Sequence, residues 1–459
     1  MGASTREAAD TWRRLIFGVG LGLMLLMAWR AQSGGDQLNL LSRGWLWAER
    51  GVFLPYGNPL SSGGNDPGPL TTLLVGAPLF LWRDHRAPIV LVLVSHLLAY
   101  LLLDRVIARA LPARERLLFA LVYWLNPWRL HFSGFLWNPN HLFVAGAVHL
   151  STAWASRERA RFGSSFAHVA ALGLASQLHP SFVILGFASL LLVARRAIRI
   201  HWPGLLAGVA VVALSYWPWL RVVYAGQRDI LPGSEGFPLR GLIYLFPLLR
   251  GWLYWIRYAS LYVPGDVLQL DFVDTLGAQC SNLVARPLGL ALAALTPLTV
   301  ALPLGANARL LRRFRRRLRR RAPPQGARAW LREYAFVSLL AATISFALAP
   351  TTVMAWQALI VLHAAVLPLL FLAAAALRLP RRRALAGRLA IAWAIASVLI
   401  TATLAFGSRR YRCHGSELMG FGVVLRHDHP MFHDLMIDET CPIPFDAESG
   451  WWPDALPEE

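Results

Sequence analysis

Apolar runs of roughly membrane-crossing length recur along the whole chain, separated by short arginine-rich segments. That alternation leaves little choice of fold. Hydrocarbon offers no water to backbone N–H and C=O groups, so a spanning segment must satisfy them internally, as an α-helix does. About 20 apolar residues cover the ~30 Å hydrocarbon core. The 459 residues are 56% hydrophobic and 15% charged, against about 25% charged in soluble domains. The chain reads as an all-α polytopic membrane protein, and a soluble globular fold is excluded.

The formal net charge is +20, and the sequence contains no lysine, so every basic residue other than histidine is arginine. These arginines gather between apolar runs, the pattern of inward-facing membrane loops. The densest group, "RRFRRRLRRR" at Arg312–Arg321, reads as a loop against anionic lipid headgroups. No aromatic or glycine pattern of an RNA-binding module surrounds it, so no nucleic-acid partner is expected.

Arg13 and Arg14 precede the first run and put the N-terminus in the cytoplasm. Helix one covers roughly residues 13–31. The next segment, 32–87, is a long first outer loop. Within it, Pro69–Trp82 contains Pro78 and is too short for a span, so it reads as a re-entrant or interfacial helix. Runs then alternate between the sides through residues 88–103, 117–132, 138–155, 164–179, 180–194 and 204–220. Residues 223–285 form a second outer loop, in which "PLRGLIYLFPLLRGWLYWIRYASLY" is either an amphipathic helix on the membrane or a span burying Arg250 or Arg257. Runs 287–305, 333–349, 354–377 and 389–406 complete about eleven helices with the arginine-rich loops on one side. Arg409, Arg410 and Arg412 break that pattern. No internal repeat is evident.

Residues 1–407 thus form the transmembrane domain, and 408–459 an extracytoplasmic tail. Of the three cysteines, Cys413 and Cys441 lie in the tail, and Cys280 in the second outer loop. The tail pair is either bonded, worth roughly 3–4 kcal/mol for a loop of about 29 residues, or two free thiols. His427, His429 and His433 are either a solvated loop or metal ligands. No CxxC motif signals zinc or redox chemistry. No cofactor is required by the pattern, and a divalent metal stays open.

The first outer loop runs "AQSGGDQLNLLSRGWLWAERGVFLPYGNPLSSGGNDPGPLTTLL". An acid directly after a first span, followed by a long amphiphilic loop, suits transfer of a sugar from a polyprenyl-phosphate carrier. The lipid phosphate leaves readily, so the enzyme needs a carboxylate to deprotonate or orient the acceptor hydroxyl. Cations must stabilise the departing phosphate, and an apolar groove must take the lipid tail. Asp36 and Asp66 are the candidate acids. Taken alone, Asp36 equally caps the exit of helix one, and Asp66 equally belongs to an Asn-Asp-Pro-Gly turn. Arg43, Arg129, His131, His141 and His179 are candidate phosphate and sugar contacts, or interface anchors. Asn138 and Asn140 either bind sugar hydroxyls or start a helix at "WNPN".

That loop, with "LNPWRLHFSGFLWNPNHLF" and "GLASQLHPSFVIL", resembles in order and spacing the GT-C glycosyltransferases. The likeness is to the bacterial phospholipid-carrier-dependent group, similar to the aminoarabinose and protein mannosyl transferases. It covers about the first 200 residues. It implies a GT-C-like bundle whose extracytoplasmic loops carry interfacial helices. It also implies a polyprenyl-phosphate-linked sugar as donor, a place in the bacterial inner membrane, and Asp36 in the position of the first-loop catalytic acid. Where the protein mannosyl transferases have an adjacent acidic pair, this chain has Asp36 beside Gln37. The acceptor, whether glycan, lipid or protein, is not specified. Two alternatives stay in view. A transporter or flippase would place ionisable groups at mid-membrane, where His363 is the main candidate. An O-antigen polymerase or ligase would carry its large loop late in the chain.

Overall fold

The structure, a computed structural model, describes residues 3–30, 35–60, 64–228, 230–231, 245–261, 270, 272–318, 324–349 and 353–407. The tail cysteines, tail histidines and Arg409, Arg410 and Arg412 lie outside the described residues.

The chain opens with α1 (Ala3–Arg30) and α2 (Gly35–Arg50). A two-stranded hairpin follows, β1 (Tyr56–Pro59) and β2 (Asn65–Pro67), then α3 (Leu70–Leu81) and α4 (Arg86–Ala110). Next come α5 (Ala113–Phe119), which continues through one π-helical turn, α6 (Pro127–His131) and α7 (Leu142–Ala155). Then come α8 (Phe162–Ala175), α9 (Phe182–Ala194), α10 (Trp202–Ser215), α11 (Trp217–Tyr224), α12 (Leu245–Tyr258) and α13 (Val273–Leu318). The last helices are α14 (Ala327–Ala347), α15 (Leu362–Ala365), α16 (Leu367–Arg378) and α17 (Pro380–Gly407).

Among the described residues, five stretches are long and apolar enough to cross a membrane: Glu7–Arg30, Arg86–Ala110, Gln279–Arg315, Ala355–Arg378 and Pro380–Gly407. Helices α10 and α11, bent by 44°, make a sixth as a pair. Of the other expected crossings, 164–179 and 180–194 fall on the shorter apolar helices α8 and α9, 117–132 on the broken segment from α5 to α6, and 333–349 on the 21-residue α14. The 14 residues of α8 rise only about 21 Å, less than the hydrocarbon core. Polar side chains therefore seal the turns. Asn126 caps α6 ahead of Pro127, accepting from the N–H groups of Trp128 and Arg129, and donates to the carbonyls of Val122 and Tyr258.

The two ends of the bundle differ in chemistry. At one end, buried acids take up arginines from distant segments. Asp104 on α4 accepts from Arg116 at 2.7 Å and faces Arg13 at 3.7 Å. Glu115 on α5 accepts from Arg328 at 2.5 Å and Arg378 at 2.6 Å. Glu333 on α14 pairs with Arg195. The Trp330 indole donates to the Ala197 carbonyl, and the Arg199 N–H to that of Ser156. Arginine-bearing loops thus converge on one end, as the alternating topology requires. At the other end α1 meets α17, where Arg30 donates to the Ala405 carbonyl, and the loops between α1 and α3 fold over the bundle.

Segment 245–258, left open between surface helix and span, is a 14-residue helix. Its inner face buries Pro247, Gly251, Tyr254, Trp255 and Tyr258, while Leu245, Phe246 and Leu249 are exposed. Arg250 and Arg257 both approach the Tyr254 ring.

A chain of hydrogen bonds crosses the middle of the bundle. Thr152 meets His168 at 2.8 Å, and His168 meets Ser189 at 2.8 Å. Ser189 meets His149 at 3.0 Å, His149 meets Tyr334 at 2.8 Å, and Tyr334 meets His363 at 2.9 Å. The Ser189 hydroxyl also donates to the Leu185 carbonyl, and that of Thr152 to the Val148 carbonyl. Removing the Tyr334 hydroxyl leaves two ring nitrogens short of partners, a cost of about 1–3 kcal/mol each. Tyr334→Phe is expected to lower the thermal-unfolding midpoint in detergent, while Tyr123→Phe, far from this chain of bonds, leaves it closer to wild type.

Candidate functional site

The site is built on the hairpin that separates α2 from α3. Tyr56 pairs with Pro67 and Pro59 with Asn65, antiparallel. Asn65 reinforces the turn by donating to the Gly57 carbonyl at 2.9 Å. Gly68 leaves the hairpin at φ +91°, a conformation L side chains rarely adopt. A Cβ there would stand 2.5 Å from Gln177 Oε1.

Asp66 sits on β2, buried. Its Oδ2 accepts from Asn138 Nδ2 at 2.8 Å, and the same amide donates to the Leu178 carbonyl at 2.6 Å. Asn138 thereby joins the hairpin to the turn between α8 and α9. Gln177 repeats the link: its Oε1 accepts from the Leu70 N–H at 3.2 Å, its Nε2 donates to Ser215, and its carbonyl accepts from Thr71. The Asn65 N–H donates to the Ile230 carbonyl at 3.2 Å, which brings the second long loop segment to the first.

Arg43 lies beneath the hairpin on α2. Its guanidinium donates to Asn39 at 2.8 Å and to the carbonyls of Gly57 at 3.0 Å and Tyr56 at 3.3 Å. It also lies over the Tyr56 ring, 5.1 Å from the centroid. Burial lowers its pKa below the usual guanidinium range, opposed by the fields of Tyr56 and Asp66. Asp66 thus lies within electrostatic reach of the Arg43 guanidinium.

Asp36 stands in the first turn of α2, seven positions before Arg43, which is two helical turns and the same stripe of the helix; its side chain lies outside the described residues. Of the remaining candidates, His179 directly follows Gln177 and Leu178, which bond to Leu70 and Asn138. Arg129 is buried, donates to the Trp124 carbonyl at 2.6 and 3.1 Å, and stacks on the Trp124 ring. No carboxylate pairs with it among the described residues. His131 packs against Phe132 and Phe135. His141 Nδ1 meets the Ser95 hydroxyl at 3.0 Å, and its buried Nε2 has no hydrogen-bond partner among the described residues. Asn140 donates to the Phe135 carbonyl. His179, half-buried, accepts from the Ser181 N–H at 3.1 Å at the start of α9. No group of three or more His, Cys, Asp or Glu suited to a metal ion exists among the described residues.

Several members were missed from sequence. Gln177 stands in "GLASQLHPSFVIL" and was the one polar amide in that apolar stretch, a signal in plain view. Asn39 lies four residues before Arg43, one helical turn away. His96 on α4 lies in the electrostatic reach of both Arg129 and His141, and nothing in its apolar surroundings marks it.

Replacing Asn138 by Asp would set a second carboxylate against Asp66 and cost about 1–3 kcal/mol or more. Asn138→Asp is expected to raise amide hydrogen exchange across residues 56–72 by about tenfold or more.

No protein-family model matches the sequence, and no curated protein does. Solved structures do match. ArnT from Cupriavidus metallidurans in the apo state aligns over 88% of this chain and 78% of its own, at 14% identity and a TM-score of 0.51. ArnT from the same organism bound to undecaprenyl phosphate aligns over 86% and 74%, at 14% identity and a TM-score of 0.50. An oligosaccharyltransferase from Archaeoglobus fulgidus aligns over 86% and 55%, at 13% identity and a TM-score of 0.44. The likeness in fold thus reaches well beyond the first 200 or so residues that carry the sequence resemblance: this multi-pass membrane protein has the fold of ArnT over most of its length.

Proposed function

We propose that the protein is a membrane glycosyltransferase that moves a sugar from a polyprenyl-phosphate carrier to an acceptor at the extracytoplasmic face. The observation that carries this reading is the buried, charge-bearing loop from α2 to α3, set at the end of the bundle away from the arginine loops, in a fold shared with a protein crystallised with undecaprenyl phosphate. By the positive-inside rule the arginine end is cytoplasmic and the hairpin end faces outward.

The reaction is an inverting single displacement. The acceptor hydroxyl attacks the anomeric carbon, the bond to the carrier phosphate breaks, and the phosphate leaves with the bonding pair. Asp36 takes the hydroxyl proton. Its position at the start of α2 suits a group that reaches the membrane surface. Asp66 and Arg43 hold the loop in shape, with Asp66 positioning the acceptor side. His141, with a buried ring nitrogen to spare, and His179 bind the phosphate or sugar from below, with Asn138 and Asn140 toward sugar hydroxyls. Arg129, held on the Trp124 carbonyl, and His131 are the remaining candidate contacts to phosphate or sugar. A divalent metal, if the reaction uses one, has Asp36 and Asp66 as its candidate ligands. Cell-envelope glycans, lipids or proteins are the acceptor classes in reach.

The test is label transfer from a panel of polyprenyl-phosphate sugars in membranes with a crude envelope acceptor extract. Asp36→Asn is expected to slow donor consumption by about 10²–10⁴-fold at equal expression, as loss of a general base does. Asp66→Asn should give a smaller loss. An unchanged rate in Asp36→Asn removes it as the base.

One observation favours a second reading. The histidine and tyrosine chain from Thr152 to His363 sets ionisable groups at mid-bundle, where a proton-coupled transporter needs them. Reconstituted vesicles that move a lipid-linked sugar across the bilayer without breaking its glycosidic bond would favour transport.

A further inference from the structure

At the arginine end, away from the hairpin, a cavity of about 310 Å³ opens between α13, α14 and α16. Its walls carry two kinds of side chain. Leu310, Pro368 and Phe371 make an apolar surface, and Arg309, Arg313 and Arg332 bring three guanidinium groups. Arg309 and Arg313 are exposed, one helical turn apart on α13, and neither forms a salt bridge among the described residues. Arg332 lies over the Phe371 ring, 5.1 Å from its centroid. The acid that also lines the cavity, Glu333, is already paired with Arg195. The cavity therefore carries an excess of positive charge over an apolar wall.

Its depth matches that composition. Phe371 stands seven residues before Arg378, the arginine that holds Glu115 at the end of the bundle, so it lies about 10 Å further along the helix. On α13, Leu304 and Leu311 are exposed on either side of Arg309, as residues facing lipid are. The cleft thus runs from the arginine layer toward the hydrocarbon.

We propose that this cavity binds the phosphate of an anionic phospholipid, with Arg309, Arg313 and Arg332 around the headgroup and an acyl chain along Leu310, Pro368 and Phe371. A basic pocket between membrane helices is the arrangement that selects anionic over zwitterionic headgroups. The bound lipid would bridge α13 to α14 and α16. This site is independent of the proposed transferase chemistry.

The test uses the full-length protein purified in detergent and mixed with phosphatidylglycerol or phosphatidylcholine, with retained lipid counted by native mass spectrometry. The wild type is expected to retain phosphatidylglycerol in preference to phosphatidylcholine, with no displacement by millimolar inorganic phosphate. Arg309→Gln with Arg313→Gln should lose that retention by about tenfold or more. Arg381→Gln with Arg382→Gln, two exposed arginines at the same end outside the cavity, should leave it nearly unchanged. Both pairs are on the surface, and a monodisperse elution profile checks that each is folded. Equal loss in the two double variants would mean diffuse surface charge and no site. Displacement by inorganic phosphate would mean a small-anion site and overturn the lipid assignment. No preference for phosphatidylglycerol in the wild type would overturn the proposal outright.

Discussion

Three buried carboxylates, Asp104, Glu115 and Glu333, hold one end of this bundle together. Each accepts an arginine from far away in sequence: Asp104 from Arg13 (and from Arg116 on the next helix), Glu115 from Arg328 and Arg378, and Glu333 from Arg195. A carboxylate out of water without a partner is expensive, and removing one side of such a pair costs about 3–5 kcal/mol. The pairs therefore fix which helices are neighbours. Glu115 alone joins α5 to the start of α14 and the end of α16.

The loop end uses neutral amides where the other end uses charge. Asn126, Asn138 and Gln177 each bridge two segments: Asn126 and Gln177 accept through the oxygen and donate through the nitrogen, and Asn138 donates twice through its nitrogen. Irregular backbone at membrane depth persists only where protein satisfies its polar groups, and these amides do that for the hairpin and for the turns beside it. Asp66 and Arg43 lie inside this amide frame. The molecule is thus polarised, with ion-paired carboxylates at one end and a carboxylate and a guanidinium held among amides and carbonyls at the other.

Much of this was legible beforehand. The apolar runs and the arginine clusters between them gave the helical class and the grouping of loops on two sides. Pro69–Trp82 was too short to span, and it forms the 12-residue α3. The first loop was harder. It read as one polar segment, yet "GDQLNLLSRGWLWAER" is an amphipathic helix whose 3.6-residue periodicity was hidden by glycines on one side and a proline-rich hairpin on the other. In the later segment 245–258 the apolar content fitted both a span and a surface helix. Over its described residues, 245–258, the segment is a helix with Gly251 packed against Phe346 and Trp252 bonded to Thr343 of α14.

The sequence by itself determined the solvent in which this chain folds, the helices that follow from that solvent, and the side on which arginine accumulates. These depend on local hydropathy and charge, which neighbouring residues carry within one segment. Only the tertiary structure decided which polar residues work together. Asp66 and Asn138 are 72 positions apart, and Leu70 and Gln177 are 107 apart. Arg129, as prominent in sequence as Arg43, is spent on the Trp124 carbonyl inside the bundle. Contacts at such separations depend on how helices pack, and no local pattern encodes them.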